Sequence, residues 1–221
     1  MALVGTTING GTFFFVFTRF VAFYMLYPMT NIAIFVSGNG SNCENLIKFF
    51  QHHERARVVL VVSNKADAYA LVRAERLGVD TMVVSKTQLN DPSVVPPLLD
   101  KYEIRLIVLA GFLPIIPDYL ISLYPRRIIN IHPSLLPRHG GKGMWGHHVH
   151  EAVKACGDSE TGITVHYVSS VCDGGEIIAQ HKVALSPDDS VDDIAAKEHE
   201  LEMRYFPEIV EQILLGMSEK N

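Results

Sequence analysis

An amide and an imidazole two residues apart, Asn130 and His132, stand inside the run Arg127-Ile-Ile-Asn-Ile-His-Pro-Ser-Leu-Leu-Pro137. Side chains alternate faces along a β-strand, so Asn130 and His132 share one face while Ile129 and Ile131 take the other. Pro133 cannot donate to a sheet ladder and disfavours helix at the residue before it, so the pattern predicts a strand that ends at His132. Open α/β sheets gather their chemistry at the carboxyl ends of strands. An amide beside an imidazole suits a reaction that develops negative charge on a carbonyl oxygen. The Asn donates a hydrogen bond, and the His donates a bond or a proton. The plainer role for such a pair is a capping amide and a satisfied buried histidine, and other parts of the chain must choose between the two.

Three further stretches could join such a site. Ser37-Gly-Asn-Gly-Ser-Asn42 lies between a predicted strand and a predicted helix, where glycines allow close backbone approach and helix-start N–H groups attract anions. The dinucleotide fingerprint is incomplete: Cys43 occupies its third glycine position, and Val61-Val62-Ser63-Asn64 supplies no ribose-binding acid. A single phosphate fits this loop better than a dinucleotide, and a plain strand-to-helix turn is the alternative. Asp173-Gly174-Gly175 offers a carboxylate that could contact His132 and hold it protonated, or it is an ordinary Asp-Gly turn. Gly111-Phe-Leu-Pro-Ile-Ile116 is an apolar loop that could line a pocket for a flat ring or belong to the core. His147, His148 and His150 lack the spacing of a metal-binding helix, so no metal is expected. Cys43 is expected to be a buried structural thiol.

The elements that must position these residues alternate from Asn31 onward. Strands are predicted at 31–36, 58–62, 81–84, 106–110 and 127–132, with helices at 44–52, 66–77, 92–102 and 118–124 between them. Continuous Val/Ile/Leu runs between helices indicate parallel strands covered on both faces, hence an α/β fold with a doubly wound, mostly parallel sheet. Past Pro137 comes the glycine-rich loop 138–146, then a helix at 147–155. Strands at 162–168 and 176–185 follow as an antiparallel C-terminal addition, and a long C-terminal amphipathic helix over 190–217 is expected to break near Pro207.

A chain of 221 residues with 48% hydrophobic and 19% charged residues can bury a full core and is not disordered. Its net charge of −5, without a basic run, argues against nucleic acid as a partner. Cys43, Cys156 and Cys172 form neither a disulfide framework nor a zinc site, which suits a reducing, cytoplasmic setting. Residues 1–30 form an apolar N-terminal extension in which Arg19 interrupts a run of membrane-span length. Two expectations attach to it: an over-extended reading frame ahead of a start at Met29, or an N-terminal anchor. Residues 31–221 are expected to form one domain.

Taken together, Ser37-Gly-Asn-Gly-Ser-Asn42, Ser63-Asn-Lys-Ala-Asp-Ala68, Leu109-Ala-Gly-Phe112, Asn130-Ile-His-Pro-Ser-Leu-Leu-Pro137, and Gly162-Ile-Thr-Val-His-Tyr-Val168 followed by Asp173-Gly-Gly175 resemble the phosphoribosylglycinamide formyltransferases. These are the folate-dependent enzymes of purine biosynthesis, with a Rossmann-like formyltransferase fold. The resemblance covers Asn31 to about Leu215; the His-Pro-Ser-Leu-Leu-Pro and Asp-Gly-Gly motifs alone would give only the wider formyltransferase superfamily. It implies that Gly40, Ser41, Asn42 and Glu202 bind the ribonucleotide substrate, 5-phosphoribosylglycinamide, with its phosphate on the first three. Leu113, Pro114, Ile115, Ile116 and Asn130 would bind 10-formyltetrahydrofolate, the formyl-donor cosubstrate. Asn130, His132 and Asp173 would be the catalytic set, stabilising a tetrahedral intermediate in a monomer or homodimer without metal. A folate-site arginine that the family can use has no counterpart in Leu89-Asn-Asp-Pro92. Within the superfamily the alternative is a formyltetrahydrofolate deformylase; outside it, a non-catalytic nucleotide-binding protein.

Overall fold

The computed structural model describes residues 29–218. The apolar stretch before Met29, with both expectations attached to it, lies outside the described residues. In chain order the elements are β1 (Thr30–Val36), α1 (Ser41–Phe50), β2 (Ala56–Ser63), α2 (Tyr69–Arg76), β3 (Asp80–Val83), α3 (Lys86–Leu89), α4 (Val95–Lys101) and β4 (Ile104–Leu109). They continue with α5 (Asp118–Leu123), β5 (Ile128–His132), α6 (His147–Cys156), β6 (Glu160–Tyr167), β7 (Ile177–Ala184) and α7 (Val191–Ser218). The seven strands form one sheet in the order β3-β2-β1-β4-β5-β6-β7. β1 to β5 run parallel and β6 and β7 are antiparallel, as the sequence pattern predicts.

Alternation along the buried strands builds a core on each face of this sheet. Ile32, Ile34 and Val36 of β1 pack with Cys43, Leu46 and Phe50 of α1 and with Phe206 and Ile209 of α7. Ala33 and Phe35 point the other way, into a layer with Leu99, Leu109 and Leu120. β5 is divided in the same manner: Ile129 and Ile131 enter the first layer, Ile128 the second. Asn130 and His132 therefore share the face of Ile128.

The chain steps outward from β1 to β2 and β3, then returns to β4 on the other side of β1. The loops leaving β1 and β4 diverge at that point, opening a crevice at the carboxyl ends of the strands. The Ser37 and Gly111 loops border it, and β5 delivers Asn130 and His132 beside them.

Three local predictions are corrected. The second helix begins at Tyr69 rather than Ala66, and the stretch before it remains a turn, closed by Ala68 N–H donating to Lys65 O. A short helix at Lys86–Leu89 was not expected, although Ser85 and Gln88 form a reciprocal capping box there. α7 runs unbroken for 28 residues through Pro207. Proline lacks the N–H that would bond the carbonyl four residues back, which is that of Met203. Asn45 Nδ2 of α1 donates to Met203 O instead, at 2.7 Å. A side chain from the neighbouring helix thus satisfies the group that proline orphans, so the helix keeps its line.

Asn45→Ala leaves that carbonyl without its partner and should destabilise the fold by about 1 kcal/mol or more. Urea unfolding measures it: the midpoint falls with unchanged slope, whereas an unchanged midpoint would show that Met203 O needs no partner.

Candidate active site

The crevice is a cleft of about 750 Å³ lined from β1, β4, β5, the glycine-rich loop and α7. At one end the loop after β1 turns into α1. Gly40 takes φ +78°, and a Cβ there would meet Ala70 Cβ at 2.4 Å, so both backbone sign and space demand glycine. Arg73 braces the loop by donating through Nε to Asn39 O at 2.9 Å. α1 begins at Ser41, earlier than predicted, so Ser41 and Asn42 lie in its first turn. The opening N–H groups of a helix have no intrahelical acceptor and favour an anion. Gly40, Ser41 and Asn42 all line the cleft, and Lys65, from the loop after β2, brings a cation to the same wall. Asn42 Nδ2 donates to Glu202 Oε2 at 2.9 Å, so the residues expected at the ribonucleotide meet across 160 positions of sequence. Glu202 also holds His199 at 3.4 Å, and that contact raises the His199 pKa above its ordinary value.

At the middle of the cleft, β5 and β6 are antiparallel with Asn130 opposite His166 and His132 opposite Thr164. His166 Nδ1 lies 3.0 Å from Tyr167 O, which places the ring hydrogen on Nδ1. Nε2 then accepts from Asn130 Nδ2 at 3.1 Å. The second hydrogen of that amide is left for the cleft. Thr164 Oγ1 donates to Ser134 O at 2.6 Å and accepts from Leu136 N–H at 3.0 Å, pinning the loop beyond His132.

His132 is buried, and its Nε2 bonds His139 O at 2.8 Å, which fixes the hydrogen on Nε2 and leaves Nδ1 basic. Asp173 Oδ2 lies 3.7 Å from that Nδ1 and accepts from Gly141 N–H at 2.8 Å. Asp173 is thus not an idle turn residue. The close approach depends on Gly175, where a Cβ would fall 1.7 Å from Tyr167 O. The expectation that Asp173 holds His132 protonated meets an opposing influence in the free protein. Burial depresses the imidazole pKa below 6.5, and the opposing pull of Asp173 does not overcome it. Burial alone would raise the Asp173 carboxyl, yet the His166 ring, the Gly141 N–H and His132 hold it below the ordinary carboxylate range. In the free protein the two shifts favour a neutral imidazole facing an ionised carboxylate.

At the apolar end, Leu113 and Ile115 are 44% and 68% exposed and line the cleft. Pro114 is not part of the lining, and Ile116 is buried in the core layer below with Phe35 and Leu120. Of the four residues expected at the folate, Leu113 and Ile115 thus face the cleft, with Phe112 beside them. Ser37 Oγ accepts from Leu113 N–H at 2.9 Å and donates to Asn64 Oδ1 at 2.5 Å, tying the apolar loop to the ends of β1 and β2. Met144 and Trp145 of the glycine-rich loop add apolar surface.

Of His147, His148, His150 and Cys43, only His150 borders the cleft, beside its partner Glu198. His147 and His148 reach Glu151, His150 reaches Glu198, and among the described residues no cluster could hold a metal ion. Cys43 is buried, and burial pushes its pKa up to about 12, as suits a structural thiol. Sequence reasoning missed the roles of Lys65, Thr164 and His166. Thr164 and His166 fall on one face of a predicted strand, but their partners depend on a register that spacing alone does not give.

Comparisons with known proteins point to one family. The formyl transferase family model matches residues 30–210. The phosphoribosylglycinamide formyltransferase of Haemophilus influenzae is 34% identical over 85% of this chain and 89% of its own length. That of Escherichia coli K12 is 36% identical over 81% of this chain and 85% of its own. The crystal structure of phosphoribosylglycinamide formyltransferase from Anaplasma phagocytophilum superposes with a TM-score of 0.77 at 33% identity, covering 84% of this chain and 87% of that one.

Because burial dominates at His132, its ring should titrate below pH 6.5 in the free protein, neutral above that midpoint and charged below it. Removing the favourable carboxylate by Asp173→Asn should lower the midpoint further. A histidine-ring NMR titration measures both; a wild-type midpoint above 6.5 would contradict the balance described.

Proposed function

The chain belongs to the formyl transferase family, and on that basis we propose that it moves a formyl group from 10-formyltetrahydrofolate to the amine of 5-phosphoribosylglycinamide, a step of purine biosynthesis. The observation that supports this best is the convergence of Asn130, His132 and Asp173 between an anion-ready helix start and an exposed apolar loop. Such a cleft suits one phosphate-bearing substrate and one with a flat ring, meeting at a carbonyl-activating centre.

On this reading, Gly40, Ser41 and Asn42 take the ribonucleotide phosphate, aided by Lys65, and Glu202 helps bind the ribonucleotide. Leu113 and Ile115 contact the folate ring. The substrate amine attacks the formyl carbon, and the carbonyl electron pair moves onto oxygen. Asn130, with one amide hydrogen committed to His166, donates the other to that oxygen. His132 Nδ1 accepts the proton released by the attacking nitrogen, and ionised Asp173 favours the imidazolium that results. The same proton then passes to the departing folate nitrogen as its bond to carbon breaks. A pKa below the ordinary histidine value keeps the base unprotonated at neutral pH.

We read residues 31–221 as one formyltransferase domain acting on two small molecules. A cytoplasmic setting accords with three free cysteines. Among the described residues no helix is long and apolar enough to cross a membrane.

The folate product is followed by absorbance, with and without the ribonucleotide. Turnover should require the ribonucleotide, and turnover in its absence would indicate a deformylase. Asn130→Ala and His132→Ala should each lower turnover roughly a hundredfold or more with the fold intact. Near-wild-type rates in either variant would refute these roles.

A further inference from the structure

One short loop holds both reacting side chains. His132 Nε2 bonds the carbonyl of His139, and Asp173 Oδ2 accepts from the N–H of Gly141, two residues further along. The position of the 139–141 backbone therefore sets the ring of His132 and the carboxylate of Asp173 together. That backbone is not in a relaxed conformation, since His139 has φ +53°, a region that non-glycine residues seldom occupy. Ser134 Oγ donates to Arg138 O at 2.7 Å, which secures the start of the loop. Its main side-chain anchor comes from outside the cleft.

Asp158 follows the left-handed Gly157 that ends α6, and its side chain is 5% exposed. Oδ2 bonds His139 Nε2 at 2.7 Å, and Oδ1 pairs with Arg138. Neither Asp158 nor His139 lines the cleft. A buried carboxylate with two nitrogen partners and no exposure to substrate has the geometry of a tether.

We propose that Asp158 and His139 are positioning residues for formyl transfer. Asp158 clamps the His139 ring, the clamped residue keeps its left-handed backbone, and its carbonyl holds His132 in the Nε2-protonated form with Nδ1 basic. The same clamp presents the Gly141 N–H to Asp173. The inference rests on the catalytic roles proposed for His132 and Asp173. Outer groups that orient a reacting side chain govern rate more than binding, because an ångström of misplacement at the reacting atoms is costly.

Two variants test it. Asp158→Ala removes the anchor, and His139→Asn tolerates a left-handed backbone but is too short to reach Asp158. In both, kcat should fall roughly ten- to hundredfold. KM for ribonucleotide and for 10-formyltetrahydrofolate should stay within about twofold, because no group that binds either is altered. Ring nitrogen NMR on the ligand-free protein should show His132 as the Nε2–H tautomer in the wild type and as a tautomer mixture in both variants. An unchanged His132 tautomer in folded His139→Asn, or a lowered melting temperature with unchanged kcat, would overturn the proposal. The tautomer is read without substrate, so it tests the tether even if wild-type protein shows no formyl transfer, an outcome that would count against the proposed function instead.

Discussion

A slip of one residue between β5 and β6 would turn Asn130 and His132 away from their partners, because strand side chains alternate with a period of two. The observed register sets Asn130 against His166 and His132 against Thr164. The rest of the site depends on it. His166 turns the amide so that one hydrogen is committed and one is free. Thr164 closes the loop past Pro133 through Ser134 and Leu136, and Gln180 of β7 adds a donor to Leu136 O at 2.9 Å. The apolar positions of β5 defend the register, since Ile129 and Ile131 would leave one core layer and enter the other if it slipped.

The cleft is graded along its length. Helix-start N–H groups and Lys65 favour negative charge at one end, and Leu113 and Ile115 offer apolar contact at the other. Between them stands a histidine whose burial favours the neutral form and whose neighbour favours the charged one. Under the proposed role, an imidazole in that balance favours the unprotonated form at rest and gains a counter-charge once it takes a proton. Moving Asp173 closer would strengthen the second influence against the first. The 3.7 Å separation, with the carboxylate bonded to Gly141 N–H, keeps both.

Much of this was legible in the chain itself. The alternation of apolar strands with helices revealed the doubly wound sheet, and Pro133 marked where β5 ends. Asn130, His132 and the Ser37–Asn42 loop were visible because their chemistry is local to one strand end or one turn. What the sequence hid depends on contacts between distant segments. α7 continues past Pro207 only because Asn45 reaches Met203 O from another helix. The lowered pKa of His132 follows from burial, which residue spacing does not report. His166 stands within a recognisable motif, but its role comes from register. Ile116 looked like part of the folate wall, yet the loop after β4 turns it into the core. The Asp158–His139 tether joins side chains 19 positions apart through a loop whose conformation no periodicity betrays.

A double-mutant cycle on formyl transfer tests most directly whether the site acts as one unit. Turnover would be measured for the wild type, His132→Ala, Asp173→Ala and the double variant. If Asp173 works by stabilising the charge that His132 acquires, removing it matters only while the imidazole is present. The double variant should then be little slower than His132→Ala alone. Losses that multiply would show that Asp173 acts independently of His132, and would contradict a site in which the carboxylate serves the imidazole.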